Sequence, residues 1–96
     1  MKISSPIQIF IIRDKTNNIW IGEKKSWVRA RNQAKIFKTL VGARNYINRL
    51  YNESNLRLLD CFSGSYVQAV YENISIEHLR ATELFDTIEY PFLENQ

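Results

Sequence analysis

A chain of 96 residues with 45% hydrophobic and 24% charged side chains has the balance of an ordinary globular domain. Its longest apolar run, Ile9 to Ile12, falls far short of the roughly 20 residues needed to cross a bilayer, and Met1 to Pro6 lacks the apolar region of a secretory signal. The net charge of +3 conceals a division: residues 1–50 hold eleven Lys or Arg against two acids, a net +9, and residues 51–96 hold two against eight, a net −6. Such segregation fits either a basic face that meets an acidic partner or two halves that neutralise each other across the fold.

One domain spanning residues 1–96 is expected, in a cytoplasmic setting. The single Cys61 cannot form an internal disulfide, which suits a reducing compartment.

Ile7 to Arg13 is β-branched and aromatic at both parities, the pattern of a strand covered on both faces and central in its sheet. The polar cluster Asp14 to Asn18 turns the chain, and Ile19 to Ile21 returns as the second strand of a hairpin before Gly22. Glu23 to Lys38 then carries six cations, one acid, Trp27 and Phe37. Its first part, Lys24 to Asn32, has no period and reads as a loop tacked down by Trp27 and Val28. Its last part, Lys35 to Lys38, has a short apolar centre and reads as a third strand.

Thr39 is placed to cap a helix running to about Asn52. Leu40, Ala43, Tyr46, Ile47, Leu50 and Tyr51 fall on one arc of that helix, with Arg44, Asn45, Asn48 and Arg49 opposite and Val41 the one misfit. Leu56 to Phe62 and Tyr66 to Tyr71 read as two strands joined by a Ser63-Gly64-Ser65 hairpin turn. Beyond Asn73, a short helix from Ile76 to Phe85 capped by Ser75 is preferred over a strand, although Arg80 and Glu83 interrupt its apolar arc. Pro91 closes the structured part and 93–96 is expected to fray. Strands in runs around one helix define an α+β fold: a mostly antiparallel sheet of about five strands, one main helix packed across it, and a second short helix near the C-terminus.

Catalytic and metal chemistry find little to work with. A nucleophile and base would have to be Cys61 and His78, oriented by Asp60 or Glu77, yet no spacing supports the set. Asp60 and Cys61 are neighbours on a strand and point to opposite faces. One Cys and one His without paired spacing do not make a zinc site, and three isolated glycines do not make a phosphate-binding loop. No cofactor, metal or catalytic residue is assigned. The remaining candidate chemistry is partner contact through Lys24, Lys25, Trp27, Arg29 and Arg31, with Arg44 and Arg49 as second choices. On nucleic acid, these cations would neutralise phosphates while Trp27 stacked on a base. On a protein, the same residues would serve as aromatic and arginine anchors. The bland alternative is that Trp27 is core and the cations form a solvated rim.

The order of features in the first half resembles small accessory proteins of tailed bacteriophages and prophages. The match rests on Phe10 to Asp14, Trp20 to Gly22, Trp27, Ala34 to Thr39 and Gly42 to Ile47: a hairpin, a Trp-containing loop, an "AKIFKT" strand and a helix that begins near a Gly-Ala pair. Thr16-Asn17-Asn18 stands where such proteins often have a glycine, and nothing from Asn52 onward shares the pattern. The resemblance implies a non-enzymatic protein in the bacterial cytoplasm that modulates or inhibits a host protein or nucleoprotein complex. The alternative is a direct nucleic-acid-binding module using the same residues, and neither role involves a membrane.

Overall fold

The computed structural model describes residues 8–80. Six strands form one sheet: β1 (Gln8–Asp14), β2 (Ile19–Ile21), β3 (Ser26–Val28), β4 (Arg57–Asp60), β5 (Tyr66–Gln68) and β6 (Ile74–Arg80). Their spatial order is β5-β4-β3-β2-β1-β6. All neighbours are antiparallel except β3 and β4, which are parallel. A parallel pair cannot be joined by a tight turn, and here α1 (Leu40–Ser54) is part of the crossover. The architecture is α+β, one main helix against a mixed, mostly antiparallel sheet.

The hairpin β1–β2 forms where its turn residues hold one another. Asp14, fully buried, accepts from Thr16 N at 3.1 Å and from Asn17 Nδ2 at 2.7 Å, while Asn18 takes the left-handed conformation at φ 57°. Asparagine tolerates that conformation, so the turn closes without glycine. At α1, Thr39 Oγ1 accepts from Gly42 N at 3.0 Å, as expected of the cap. The helix ends on Asn55, again left-handed, whose N–H reaches back to the Tyr51 carbonyl at 2.8 Å. In the β4–β5 turn, Gly64 sits at φ +77°, and Asp60 N donates to Ser65 O at 2.8 Å.

Two apolar clusters lie on the two faces of the sheet. The larger joins Ile12, Ile19, Ile21, Trp27, Leu58 and Ala69 to Ala43, Tyr46, Ile47 and Leu50 of the helix. The smaller comprises Ile9, Ile11, Ala34 and Leu79 with Trp20 packed against them. This confirms β1 as a strand covered on both faces, with neighbours β2 and β6.

Three expectations are corrected. Lys35 to Lys38 is not a strand. It touches the sheet only through isolated bridges, Gly22 with Ala34 and Phe10 with Phe37. The strand lies earlier, at Ser26–Val28, inside the supposed loop. Its lack of a period arises because only Trp27 enters the main core. The expected helix from Ile76 is likewise a strand, β6, laddered along all seven residues of β1 from Gln8↔Arg80 to Asp14↔Ile74. Its alternation is disguised by a buried acid: Glu77 and Leu79 are buried while His78 and Arg80 are exposed. Glu77 is tolerated there because Trp20 Nε1 donates to its Oε1 at 2.9 Å and Arg13 lies 3.5 Å from its Oε2. The remainder of that expected helix and the tail 93–96 lie outside the described residues. Among the described residues no helix is long and apolar enough to cross a membrane.

Candidate functional site

The basic stretch is divided by the position of Trp27. Its side chain is 0% exposed, beneath the helix, and its Nε1 donates to the Val67 carbonyl at 2.9 Å. It ties β3 to the β5 segment and cannot stack on a base or enter a partner's pocket. The expectation of Trp27 as a contact residue is therefore corrected: a short chain spends its largest side chain on its interior.

The cations around Trp27 are largely spoken for. Lys25 Nζ lies 3.3 Å from Glu53 of the helix, and Lys35 Nζ lies 3.5 Å from Glu23 and over the rings of Phe37 and Tyr46. Arg49 also sits over Tyr46, at 5.9 Å from its centroid. Burial raises the Tyr46 hydroxyl above its ordinary pKa, the Arg49 charge opposes that shift, and the Glu23 and Glu53 charges add to it. Lys25 and Arg49 thus lie on one flank of α1, Lys25 against Glu53 and Arg49 over the Tyr46 ring.

Arg29 lies elsewhere. Its guanidinium bonds the buried carboxylate of Asp60 and stands over the ring of Phe62, 5.2 Å from its centroid. This hydrogen bond holds the Asp60 carboxyl below its ordinary pKa against the opposing effect of burial, with a further hydrogen bond from Phe62 N. The same bond raises Arg29. Lys24 is exposed, and Arg31 is half-buried in a 3-10 turn, Arg31–Gln33; neither has a described ion-pair partner. The seven expected contact residues do not form one patch.

Arg44 is the exception that marks a site. It lies on the opposite flank of α1 from Arg49, in a groove of about 360 Å³ lined with Leu40, Ile47, Tyr71, Ile74 and Ile76. Among the described residues it has no ion-pair partner. Tyr71 belongs to the 3-10 turn Tyr71–Asn73 that precedes β6, and its hydroxyl bonds Asn48 Oδ1 of the helix at 2.9 Å. Its ring tilts against Tyr51, centroids 4.9 Å apart. A second concavity of about 630 Å³ continues past Tyr71 and is lined by Tyr51, Asn55, Val70 and Glu72 among others. Leu40 and Tyr51, expected in the core, are 41% and 44% exposed along this flank, and Val41 and Val70 are exposed as well.

The sequence carried one sign of this flank. An apolar arc that spans from Tyr46 round to Leu40 and Tyr51 is wider than one sheet face can cover. Residues 70–71, read as strand, gave none.

Cys61 and His78 are not brought together. They lie at β4 and β6, with β3, β2 and β1 between, a separation of about 19 Å at the usual strand spacing. Cys61 Sγ is 3.1 Å from Ser26 Oγ, and His78 stacks on Phe10 with centroids 4.7 Å apart. No cluster of three or more His, Cys, Asp or Glu gathers among the described residues to hold a metal. Comparison with protein-family models, with curated proteins and with solved structures finds no match for the chain.

Proposed function

We propose that this chain is a non-enzymatic binding protein whose contact surface is the Leu40–Arg44–Tyr51–Tyr71 flank of α1. The phage setting that its first half resembles makes the partner a host protein or nucleoprotein complex in a bacterial cytoplasm, which the chain modulates or inhibits. The observation that supports this is an exposed line of aliphatic and aromatic side chains bordering a groove that holds an arginine with no ion-pair partner among the described residues. Monomers seldom leave such contiguous apolar surface without use, and aromatic plus arginine anchors dominate interface energetics. The test is affinity capture from a nuclease-treated bacterial lysate with the wild-type chain, Arg44→Glu and Tyr71→Ser. A stoichiometric partner held by the wild type and lost from both variants supports the proposal. A partner retained by both, or no partner at all, overturns it.

One observation favours the second reading, direct binding of single-stranded nucleic acid. Phe62, 80% exposed, lies under Arg29, and Tyr66, 60% exposed, lies under Arg57 at 5.0 Å from its centroid. Aromatic faces beside arginines can stack bases and neutralise phosphates. That site differs from the Trp27 loop the sequence suggested. Retardation of an oligonucleotide that weakens steeply with salt and disappears in Tyr66→Ala would support it; no retardation at low salt would remove it.

A further inference from the structure

The α1 flank carries two charges of opposite sign, one in each concavity. Of the residues lining the groove of about 360 Å³, Arg44 alone is charged, and its other walls are aliphatic apart from Tyr71. Of those lining the concavity of about 630 Å³, Glu72 alone is charged. Both side chains are exposed, and neither has an ion-pair partner among the described residues. Each keeps its field directed outward.

Tyr71 lines both concavities and so stands where they meet. Its hydroxyl donates to Asn48 Oδ1 at 2.9 Å, and its ring packs on Tyr51 with centroids 4.9 Å apart. The wall between the two charges is therefore set before a partner arrives, which lowers the ordering cost of binding.

This arrangement discriminates by charge. A nucleic-acid strand would pair one phosphate with Arg44 and bring the next ones against Glu72. A basic segment would pair with Glu72 and meet repulsion at Arg44. A neutral apolar segment would fill the walls and leave both fields unanswered.

Resting on the reading of this flank as the contact surface, we propose that it takes a short dipolar peptide segment of the partner protein. A carboxylate of the segment pairs with Arg44, a cation pairs with Glu72, and apolar side chains between them pack on Tyr71, Leu40 and Val70. The Arg44 guanidinium can hold a carboxylate through two parallel N–H donors, which fixes the end of the segment that enters the groove. The apolar residues supply the buried area, and the two charges set its direction across the flank.

The test is selection of a surface-displayed random-peptide library on the purified full chain, followed by affinities of the selected peptides from fluorescence polarisation. Selected peptides are expected to carry Asp or Glu and Lys or Arg on opposite sides of large apolar residues. Arg44→Glu is expected to weaken them at least about tenfold, since it turns an attraction into a repulsion. Replacing the peptide's acid by lysine should restore binding to Arg44→Glu and weaken binding to the wild type. Glu72→Lys is the mirror-image test on the peptide's cation, and it carries the proposal should Arg44→Glu fail to fold. Peptides that lose affinity in Tyr71→Ser but lack the charge pattern overturn the dipolar segment and leave the flank as the contact surface. So do peptides weakened by Tyr71→Ser that bind Arg44→Glu and Glu72→Lys undiminished. No selected peptide, or peptides indifferent to Tyr71→Ser as well, also overturn it, while the lysate capture decides the contact surface independently.

Discussion

The two flanks of α1 have similar raw material and opposite fates. On one, Lys25, Lys35 and Arg49 lie among Glu23, Glu53 and the rings of Phe37 and Tyr46, so each cation has an acid or an aromatic face. On the other, Arg44 shares a groove with Leu40, Ile74, Ile76 and Tyr71 and has no acid among the described residues. Charge density marked the first flank in the sequence as the place to look. Satisfaction of that charge in the fold makes it the quieter of the two. A cation beside its acid presents little net field to a partner, while a solvent-exposed cation with no acid beside it among the described residues keeps its field outward.

The largest effect expected is at Trp27, the residue on which the basic stretch was judged. Trp27→Ala should lower unfolding free energy by about 3–5 kcal/mol in urea melts, through a cavity beneath the helix and the loss of the Nε1 hydrogen bond to the Val67 carbonyl. A loss under about 1 kcal/mol would mean that Trp27 is not core. The comparison would then fail at its root, because the basic flank would regain an aromatic anchor.

Next is Asp60. Its folded pKa lies below the ordinary carboxylate value, so its contribution is fully present above about pH 4 and fades as pH falls through the depressed value. Asp60→Asn should therefore be less stable than wild type at neutral pH, and the gap should narrow in acid below about pH 4. Parallel stability curves for the two proteins between pH 7 and pH 2 would show that Arg29 is not structurally engaged. Arg29 would then rejoin the candidate contacts.

How far these features were legible before folding depends on how local their causes are. The α1 cap at Thr39, the β1–β2 turn and the Ser-Gly-Ser hairpin are decided within a few residues, and each lies where the chain chemistry puts it. Strand β3 was hidden because Ser26 and Val28 say little about burial and only Trp27 marks it. Strand β6 was hidden by Glu77, whose burial depends on Trp20, 57 residues away in sequence. The α1 flank was half visible: Leu40 and Tyr51 could be read as apolar, but the residues that leave them uncovered belong to a turn at 71–73 whose position no local pattern discloses. The partners of the basic residues, Glu53 for Lys25 and Asp60 for Arg29, come from the acidic half. The halves do neutralise each other in part, and the pairing of β3 with β4, the pairing of β1 with β6 and the return of α1 bring them together.

Smaller effects are expected on the flanks themselves. Arg44→Glu should shift stability by no more than about 0.5 kcal/mol, since Arg44 is exposed in open groove and has no ion-pair partner to lose among the described residues. A loss beyond about 1.5 kcal/mol would assign it a structural role and close the distinction between the flanks.

The smallest effect belongs to Lys25, and it separates charge from backbone. Lys25 pairs with Glu53 across two half-exposed side chains, an interaction of about 0.2–1 kcal/mol at most. It also holds φ at 54°, the left-handed region that a side chain with a Cβ enters at a cost of roughly 1–2 kcal/mol. Lys25→Ala gives up the ion pair and keeps the strain; Lys25→Gly gives up the ion pair and relieves it. The glycine variant should be the more stable of the two by about 1 kcal/mol, and at least as stable as the wild type, by thermal melting at matched salt. Both variants should hold a captured partner as the wild type does. If Lys25→Gly keeps its fold and loses the partner, the lysine charge is used outward despite Glu53, and the basic flank becomes the binding surface after all.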